Sequence, residues 1–354
     1  MHIKSLAAGI ILLCLIGLFG VYAYLENSDR HSVSLVTDRD EAALLNTHDL
    51  SASLKTVDAT LEIDPTKTRA LVAKAKLLAQ IGSTTYVEQP FALRALEAVD
   101  AALALDPNDV EAWYVKGFAY EIQQDYQAAL EAYDQALELE PTHSASLSQK
   151  AHVYDLTGDL DVAGRLYQRA LRSNPHNEKA YLGLGRIALL RGDAEQAFGY
   201  FSLVAENAKN PRTAAEAAYS AGGAALAMND LTAAERFARQ AIARDPRYDA
   251  GWTGLAQILY QRSITEPRLS GDDRQALASE TLTALSTSIA LNPKQSQAYY
   301  TLGMVLITMR QLEDGRRALQ RAHLLVADDI TLSRLQKQQA TTVIDAALSE
   351  AAKL

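Results

Sequence analysis

The sequence predicts an all-α protein, a solenoid in which helix-turn-helix units follow one another along the chain. Three observations support this. Similar phrases that end in proline recur about every 34 residues, a turn signal lies midway between most of them, and a small residue recurs at one place in each unit. The composition agrees, because 48% aliphatic and aromatic residues can fill a large core, while 22% charged residues is ordinary for a folded protein.

The first element, residues 1–25, is interpreted as an N-terminal transmembrane anchor or signal peptide. Leu6 to Leu25 carries no charge, and a helix of this length spans roughly 30 Å, the thickness of the bilayer hydrocarbon. An uncleaved anchor is the preferred interpretation. A signal peptide cleaved after Ala23 and a lipoprotein signal that ends at Cys14 are the alternatives. Each of them places the rest of the chain on the far side of the membrane.

We therefore predict a single-pass membrane protein whose folded part lies outside the cytoplasm, on the periplasmic side. A cleaved, secreted or periplasmic protein is the alternative. Residues 26–37 are polar and form a linker. Residues 38–65 are predicted to form a partial N-terminal repeat.

The next feature is the series of prolines that end similar phrases. They are Pro65, Pro107, Pro141, Pro175, Pro211, Pro246 and Pro293, at intervals of 42, 34, 34, 36, 35 and 47 residues. Proline ends one helix and allows the next to begin, because it has no N–H and restricts the residue before it. The two longest intervals contain insertions, Ser83 to Pro90 and about Arg262 to Asp273. We place both in the turn between the two helices of a repeat.

Most intervals contain a turn signal near their middle. Gly or Asn adopts the left-handed conformation that ends a helix, and a following Asp caps the next helix. The turn pairs are Gln124-Asp125, Gly158-Asp159, Gly192-Asp193 and Asn229-Asp230. The chain thus predicts seven helix-turn-helix repeats over residues 66–327.

The repeats share a set of small and aromatic residues. The small position of the first helix is occupied by Ala75, Gly117, Ala151, Gly185, Gly222, Ala256 and Gly303. The repeat that ends at Pro141 also carries Trp113, Tyr120, Ala129, Tyr133 and Ala136. In these residues the sequence resembles the tetratricopeptide repeat (TPR) family over about three quarters of its length. The resemblance implies that small residues lie where two helices approach closely, beside a large aromatic side chain.

Two regions depart from the plain repeat. Lys74, Lys116 and Lys150 stand where the family has leucine. We interpret them as aliphatic stems packed on the protein with the ammonium in solvent, and a basic ladder is the alternative. Residues 328–354 predict a C-terminal capping helix that covers the open end of the core. Its apolar face is Leu332, Leu335, Val343, Ile344, Leu348 and Ala351.

The sequence disfavours several classes of function. The formal charge of −9 argues against nucleic-acid binding, which needs a basic surface. Cys14 is the single cysteine, so the folded part has neither disulfides nor thiolate metal sites. The seven histidines show no metal-ligand spacing, and no serine or cysteine lies in a nucleophile elbow. We predict no enzyme activity, catalytic residue, metal, cofactor or small-molecule substrate.

The function that the sequence favours, once these classes are disfavoured, is binding of a protein or peptide partner. In the TPR family the first helices of the repeats line a concave groove, and the resemblance implies that partners bind there. The matching positions are Tyr114, Phe118, Glu121, His152, Lys179, Arg186, Tyr219, Tyr260, Tyr300 and Met304. Aromatic side chains on a rigid wall suit an extended peptide or a helix, although several of these residues could instead pack between neighbouring repeats.

The predicted function is a protein–protein interaction scaffold or adaptor on the extracytoplasmic side of a membrane. One alternative is a chaperone-like holder of unfolded secreted chains, similar in outline to the TPR proteins of cytochrome c biogenesis. A second alternative is a structural spacer or self-assembly module.

Overall fold

The structure is a computed structural model that describes residues 50–84, 88–328 and 334–353, almost entirely as helix. Sixteen helices are present in this part of the chain: α1 Leu50–Ile63, α2 Thr68–Thr84, α3 Glu88–Leu105, α4 Val110–Ile122, α5 Tyr126–Leu139, α6 Ser144–Leu156, α7 Leu160–Ser173, α8 Glu178–Leu190, α9 Ala194–Asn207, α10 Pro211–Ala227, α11 Leu231–Arg244, α12 Asp249–Thr265, α13 Gly271–Leu291, α14 Ser296–Thr308, α15 Leu312–Asp328 and α16 Arg334–Ala351. The prediction of an all-α helix-turn-helix repeat fold is confirmed.

The predicted N-terminal transmembrane or signal helix, the linker and residues 38–49 lie outside the described residues. Helix α1 falls within the segment predicted as a partial repeat. None of the helices among residues 50–84, 88–328 and 334–353 combines the length and the apolar character needed to cross a bilayer.

The packing divides the chain into two units. The described part of the first unit ends at Ile187, and the second unit begins at Ala188. In the first unit α2 packs on α3, α4 on α5 and α6 on α7. In the second unit α10 packs on α11, α12 on α13 and α14 on α15.

The turn within a pair has the predicted geometry. A residue with positive φ ends the first helix, and the aspartate after it caps the second. The φ values are 60° at Gln124, 89° at Gly158, 81° at Gly192 and 60° at Asn229. Each aspartate then accepts a hydrogen bond from the backbone N–H three residues later; the capping residues are Asp125, Asp159, Asp193 and Asp230. The sequence thus starts each second helix at a defined residue.

The turn between pairs is also built by local hydrogen bonds. The Asp or Asn before the repeat-closing proline accepts a hydrogen bond from the N–H two residues later, as Asp106 does from Asn108 at 3.0 Å. Asp64, Asn174, Asp245 and Asn292 make the same bond. Both tryptophans tie the next helix to this turn. Trp113 Nε1 donates to the carbonyl of Pro107 at 2.9 Å, and Trp252 Nε1 to that of Pro246 at 2.9 Å.

Small residues allow the two helices of a pair to approach. A Cβ placed on Gly117 would overlap the ring of Tyr133 in the partner helix. A Cβ on Gly303 would likewise overlap Leu319. The predicted packing of a small residue beside a large aromatic one is confirmed at Gly117, whereas at Gly303 the large residue is a leucine. In both pairs the large side chain occupies the space that the glycine leaves open.

The three lysines at the leucine position do more than extend into solvent. Lys74 pairs with Asp58 at 2.7 Å, and Lys116 pairs with Asp100 at 2.7 Å. Lys150 pairs with Asp134. In each case the carboxylate lies sixteen residues earlier, on the preceding second helix. The lysine side chains are 16–28% exposed, which agrees with packed stems, and each ammonium pairs with an aspartate that is 39–56% exposed. The resulting ladder of ion pairs, which the sequence did not indicate, joins one pair of helices to the next.

The two insertions mainly lengthen helices. The second insertion extends α12 to Thr265 and starts α13 at Gly271, so that only residues 266–270 form a loop. Ser270 and Asp273 close this loop with a capping box at the start of α13. The first insertion lies between α2 and α3, as predicted, and its residues 85–87 lie outside the described part.

The C-terminal helix covers the end of the second unit. Val343, Ile344 and Leu348 belong to the apolar cluster that also contains residues of α12 to α15. Arg316 donates through Nη2 to the carbonyl of Ala351 at 2.7 Å and thereby caps the end of α16. These contacts agree with the predicted cap, whereas Leu332 and the side chain of Leu335 lie outside the described residues.

The first testable prediction concerns the turn glycine Gly192. A Cβ at this residue would meet no atom within 4 Å, so Gly192→Ala changes only the cost of the left-handed backbone at φ 81°. We expect the free energy of unfolding to fall by about 1 kcal/mol. Gly199→Ala is the matched control, because its Cβ is equally unobstructed but lies within α9. It should raise stability by about 0.5 kcal/mol. Equal effects of the two substitutions in urea unfolding would contradict this assignment.

Candidate protein-binding face

The predicted groove residues divide into a buried and a partly exposed set. Seven side chains are at most 9% exposed: Phe118, Glu121, His152, Tyr219, Tyr260, Tyr300 and Met304. Tyr114, Lys179 and Arg186 are partly exposed. The buried set is held among packed helices and offers little surface to a partner. The three partly exposed positions all lie in the first unit, where three predicted positions are buried, and all four predicted positions of the second unit are buried.

In the second unit the predicted residues hold successive first helices together. The ring of Tyr219 packs edge-on against Tyr248 at 5.9 Å between centroids. The Tyr260 hydroxyl on α12 bonds Thr308 Oγ1 on α14 at 2.8 Å. Tyr300 and Met304 lie in the same apolar cluster as the capping helix.

In the first unit the centre of the predicted groove is a buried polar network around Glu121. Its Oε2 accepts a hydrogen bond from the Tyr133 hydroxyl at 2.7 Å and a longer one from Gln149 Nε2 at 3.4 Å. Its Oε1 lies 2.7 Å from Nδ1 of His152, which donates because a carboxylate only accepts. Glu121 is 6% exposed and His152 is 1% exposed. A carboxylate this deeply buried is tolerated because several donors surround it.

A second ion pair repeats this arrangement one repeat later. Asp155, at the end of α6, pairs with Arg186 on α8. The Asp155 side chain is fully buried, and that of Arg186 is 11% exposed. In both cases an acidic residue late in one first helix meets a basic residue in the middle of the next. Glu121, His152, Asp155 and Arg186 therefore link the first helices of three repeats.

The network also perturbs the titration of Tyr133. Burial, together with the neighbouring Glu121 carboxylate, raises the pKa of Tyr133 well above its usual value. The folded chain keeps this proton at a pH where the unfolded chain loses it, near pH 10. The free energy of unfolding therefore falls as the pH rises through about 10.

Around the partly exposed Tyr114, side chains from neighbouring repeats form an accessible cluster. Lys76 Nζ pairs with Glu111 Oε1 at 2.5 Å, and His143 Nε2 lies 3.7 Å from Glu111 Oε2. The Lys76 ammonium stands 5.6 Å from the centre of the Tyr114 ring, and the His143 ring meets the same ring edge-on at 5.8 Å. These four residues form the Tyr114 cluster. It presents an aromatic ring flanked by a cation, a carboxylate and an imidazole, with side chains from three successive repeats.

Three members of this cluster escaped the sequence analysis: Lys76, Glu111 and His143. A signal for two of them was present in the repeat register. Lys76 lies one residue after the small Ala75, as His152 follows Ala151 and Arg186 follows Gly185. Glu111 occupies the position that Lys179 has two repeats later. His143 lies in the turn before α6, outside the family's lining positions, so the register could not indicate it.

The described residues contain no group of three or more His, Cys, Asp or Glu side chains arranged to hold a metal ion. The carboxylates and imidazoles of this face instead pair with one another or with Lys76 and Arg186.

Residues 91–215 match the family described as the cytochrome c-type biogenesis protein H TPR domain. No curated protein matches the chain significantly.

Solved structures share the fold at low sequence identity. The anaphase-promoting complex heterotetramer Cut9–Hcn1 matches with a TM-score of 0.63 and 16% identity over 87% of this chain. Yeast Tom70 matches with a TM-score of 0.56 and 16% identity, covering 96% of this chain and 70% of that one. A tetratricopeptide repeat protein of Parabacteroides merdae has a TM-score of 0.51 and 16% identity, covering 77% of this chain and 98% of that one. The present chain spans 55% of the length of the Cut9–Hcn1 chain that it matches.

The fold and the face together define a helical-repeat protein in which paired helices expose a mixed aromatic and charged surface. The repeat register, the family match over residues 91–215 and the shared fold identify the class more closely. The chain is a tetratricopeptide repeat protein.

The second prediction tests the buried network. Tyr133→Phe removes a hydroxyl that bonds a buried carboxylate, and we expect it to lower the free energy of unfolding by about 1–3 kcal/mol. It should also reduce the loss of stability above about pH 10. Tyr248→Phe is the control, because the Tyr248 side chain is equally buried but its hydroxyl has no hydrogen-bond partner among the described residues. That variant should be neutral or slightly stabilised. A larger loss in Tyr248→Phe than in Tyr133→Phe, measured by urea unfolding, would refute this account.

Proposed function

We propose that this protein is a non-enzymatic scaffold that binds a segment of another protein on the extracytoplasmic side of a membrane. The observation that carries the proposal is the Tyr114 cluster on the first helices of a TPR unit. Its side chains are partly exposed, and Tyr114 lies at a position that the family uses for partner binding. Tyr114 is fixed by Tyr133 beneath it at 6.3 Å between ring centroids and by His143 beside it.

The chemistry of the cluster suits a peptide or a helix. A rigid tyrosine ring provides apolar contact area at little entropic cost. Glu111 and Lys76 can exchange their mutual ion pair for polar groups of the partner. Such a mixture of an aromatic anchor with charged neighbours is typical of binding hot spots. We propose that the ligand is an amphipathic protein segment, and neither nucleic acid nor a small molecule.

The location is part of the proposal. It is supported by the uncharged run from Leu6 to Leu25, which has the length of a membrane-spanning helix. Such a helix would tether the repeats to the membrane surface and place them outside the cytoplasm. A cleaved signal peptide would deliver them to the same side without the tether.

A second candidate is a holder of unfolded secreted chains during cytochrome c biogenesis. The observation that favours it is the family match over residues 91–215, a range that contains Glu111, Tyr114 and His143. On this proposal the bound segment belongs to an apocytochrome. The two candidates place the ligand on the same face and differ in whether one dedicated partner or many unfolded chains bind there.

The third prediction is that a photo-crosslinking amino acid at Tyr114 captures a partner in cells that express the full chain. A probe at Tyr154 is the matched control, because this tyrosine is also half-buried on a first helix but lies outside the cluster. One dominant crosslinked protein would support a scaffold. Recovery of many secreted chains, with apocytochromes among them, would support the holder.

Tyr114→Ala should reduce recovery of the partner, captured through a tag on the chain, by about tenfold. Tyr154→Ala should not. Capture that is unchanged in Tyr114→Ala, or equal crosslinking at the two probe positions, would exclude the Tyr114 cluster as the binding site.

A further inference from the structure

Two consecutive second helices, α5 and α7, differ in charge at three equivalent positions: α5 has two glutamates and a glutamine there, and α7 has three arginines. The positions lie six, ten and thirteen residues after the capping aspartate of each helix. On α5 they form an acidic stripe, and on α7 they form a basic stripe. The acidic stripe is Glu131, Gln135 and Glu138, and the basic stripe is Arg165, Arg169 and Arg172. All six residues are exposed.

The acidic stripe has no neutralising partner in the described part of the chain. Glu131 accepts a hydrogen bond from the Gln127 amide at 2.8 Å, and Glu138 accepts one from Gln135 at 3.2 Å. These donors are uncharged. Helix α5 contains no lysine or arginine. The nearby Asp134 is neutralised by its ion pair with Lys150. Glu131 and Glu138 have no such cation and therefore carry the uncompensated charge of this helix face.

The basic stripe is equally uncompensated. Among the described residues, neither Arg165 nor Arg172 forms an ion pair. Arg169 donates through Nη2 to the carbonyl of Pro141 at 2.7 Å, which positions its side chain on the turn after α5. The two stripes therefore occupy the same register positions of two consecutive repeats in the first unit, and Arg169 bridges from α7 to the turn that follows α5.

A cleft lies beside the acidic stripe. It has a volume of about 470 Å³, and its lining includes the aromatic residues Trp113 and Tyr120 together with Glu131 and Gln135. Lys116 also lines the cleft, but Asp100 neutralises it at 2.7 Å. Aromatic rings beside an unpaired carboxylate suit a guanidinium group, which stacks on the ring and forms a charge-assisted hydrogen bond.

We propose that this surface is a self-association site, and that a second copy of the chain occupies it. The basic stripe has the spacing of the acidic stripe, since both follow the same repeat register. A twofold axis that runs between the stripes and parallel to them places each acidic stripe opposite the basic stripe of the other copy. Such an interface uses the same patch on both copies, as closed dimers do. Arg165 of the other copy then lies opposite Glu131 and reaches the cleft beside it, while Arg172 lies opposite Glu138.

A second copy fits better than an unrelated basic partner. A purely basic segment would neutralise α5 but would be repelled by α7. The twofold pairing compensates both stripes together, and alternating charge of this kind sets the register of association. The inference is independent of the proposed function, because the Tyr114 cluster is not part of either stripe.

Disulfide crosslinking tests the pairing directly. The full chain in detergent micelles, with Cys14→Ser, has no other cysteine, so Glu131→Cys and Arg165→Cys chains can be mixed and oxidised. A crosslinked dimer is expected in the mixture and in neither variant alone. Glu97→Cys mixed with Arg165→Cys is the control, because Glu97 is the exposed residue of α3 at the position of Glu131. Equal crosslinking of the control mixture, or none in the test mixture, would overturn the proposal.

Charge reversal provides a second, independent test by light scattering in the same micelles. Glu131→Lys/Glu138→Lys chains carry two basic stripes, and Arg165→Glu/Arg172→Glu chains carry two acidic stripes. For each variant alone, the dimer dissociation constant should rise at least tenfold, so that the chain is monomeric at concentrations where the natural chain is a dimer. A mixture of the two variants should form a one-to-one dimer. Recovery on mixing shows that both variants are folded.

The matched control is Glu97→Lys/Glu206→Lys, which makes the same change in net charge at equivalent exposed positions of α3 and α9. It should dimerise like the natural chain. A monomeric natural chain at low salt, or charge-reversed chains that still dimerise alone, would refute the proposal. Partner capture at Tyr114 should be the same in all these variants. A failure of the self-association proposal is therefore distinguishable from a failure of the proposed function.

Discussion

The contact between a small residue on one helix and a large side chain on its partner is the constraint on which each repeat depends. Gly117 beneath Tyr133 shows why, because any Cβ at that residue would occupy the volume of the ring. Once the two helices are held this closely, the turn between them must be short. A left-handed residue followed by a capping aspartate, such as Gly158 and Asp159, provides such a turn. Local backbone chemistry and core packing therefore require the same helical pair.

Stacking of one pair on the next uses polar contacts in addition to shared apolar clusters. The lysine–aspartate ladder joins second helices to the first helices that follow, and the pairs around Glu121 and Asp155 join first helices to each other. Exposed pairs of this kind contribute little to stability. Buried ones such as Glu121 with His152 are costly to leave unpaired and so restrict the register in which repeats stack. We infer that specificity of stacking, more than its strength, is the role of these charges.

This use of polar groups decides which surfaces remain for partners. Most of the predicted groove side chains in the described part of the chain are buried by packing between helices, whereas the Tyr114 cluster keeps a partly exposed aromatic ring with charged neighbours. On the second helices, positions that no stacking contact requires retain full charges, as at Glu131 and Arg165. The two proposed interaction surfaces thus have a common origin. Residues that fix how repeats stack are mostly buried, and residues that make no stacking contact remain exposed and can bind a partner.

The sequence by itself determined the repeat, because helix ends, turns and small-residue positions depend on neighbours within about one helical turn or on a fixed period of the chain. Pro107, Gly192 and Asp193 specify their local structure wherever the repeat is placed. Only the tertiary structure decided which register positions face solvent. Phe118 and Tyr114 look equivalent in sequence, yet Phe118 is covered by side chains from α2 and α3, while Tyr114 remains half-exposed. Similarly, Lys116 is neutralised by Asp100, which lies on another helix. The sequence could not indicate this pair, because burial and ion pairing depend on which neighbouring helix comes within a few ångströms.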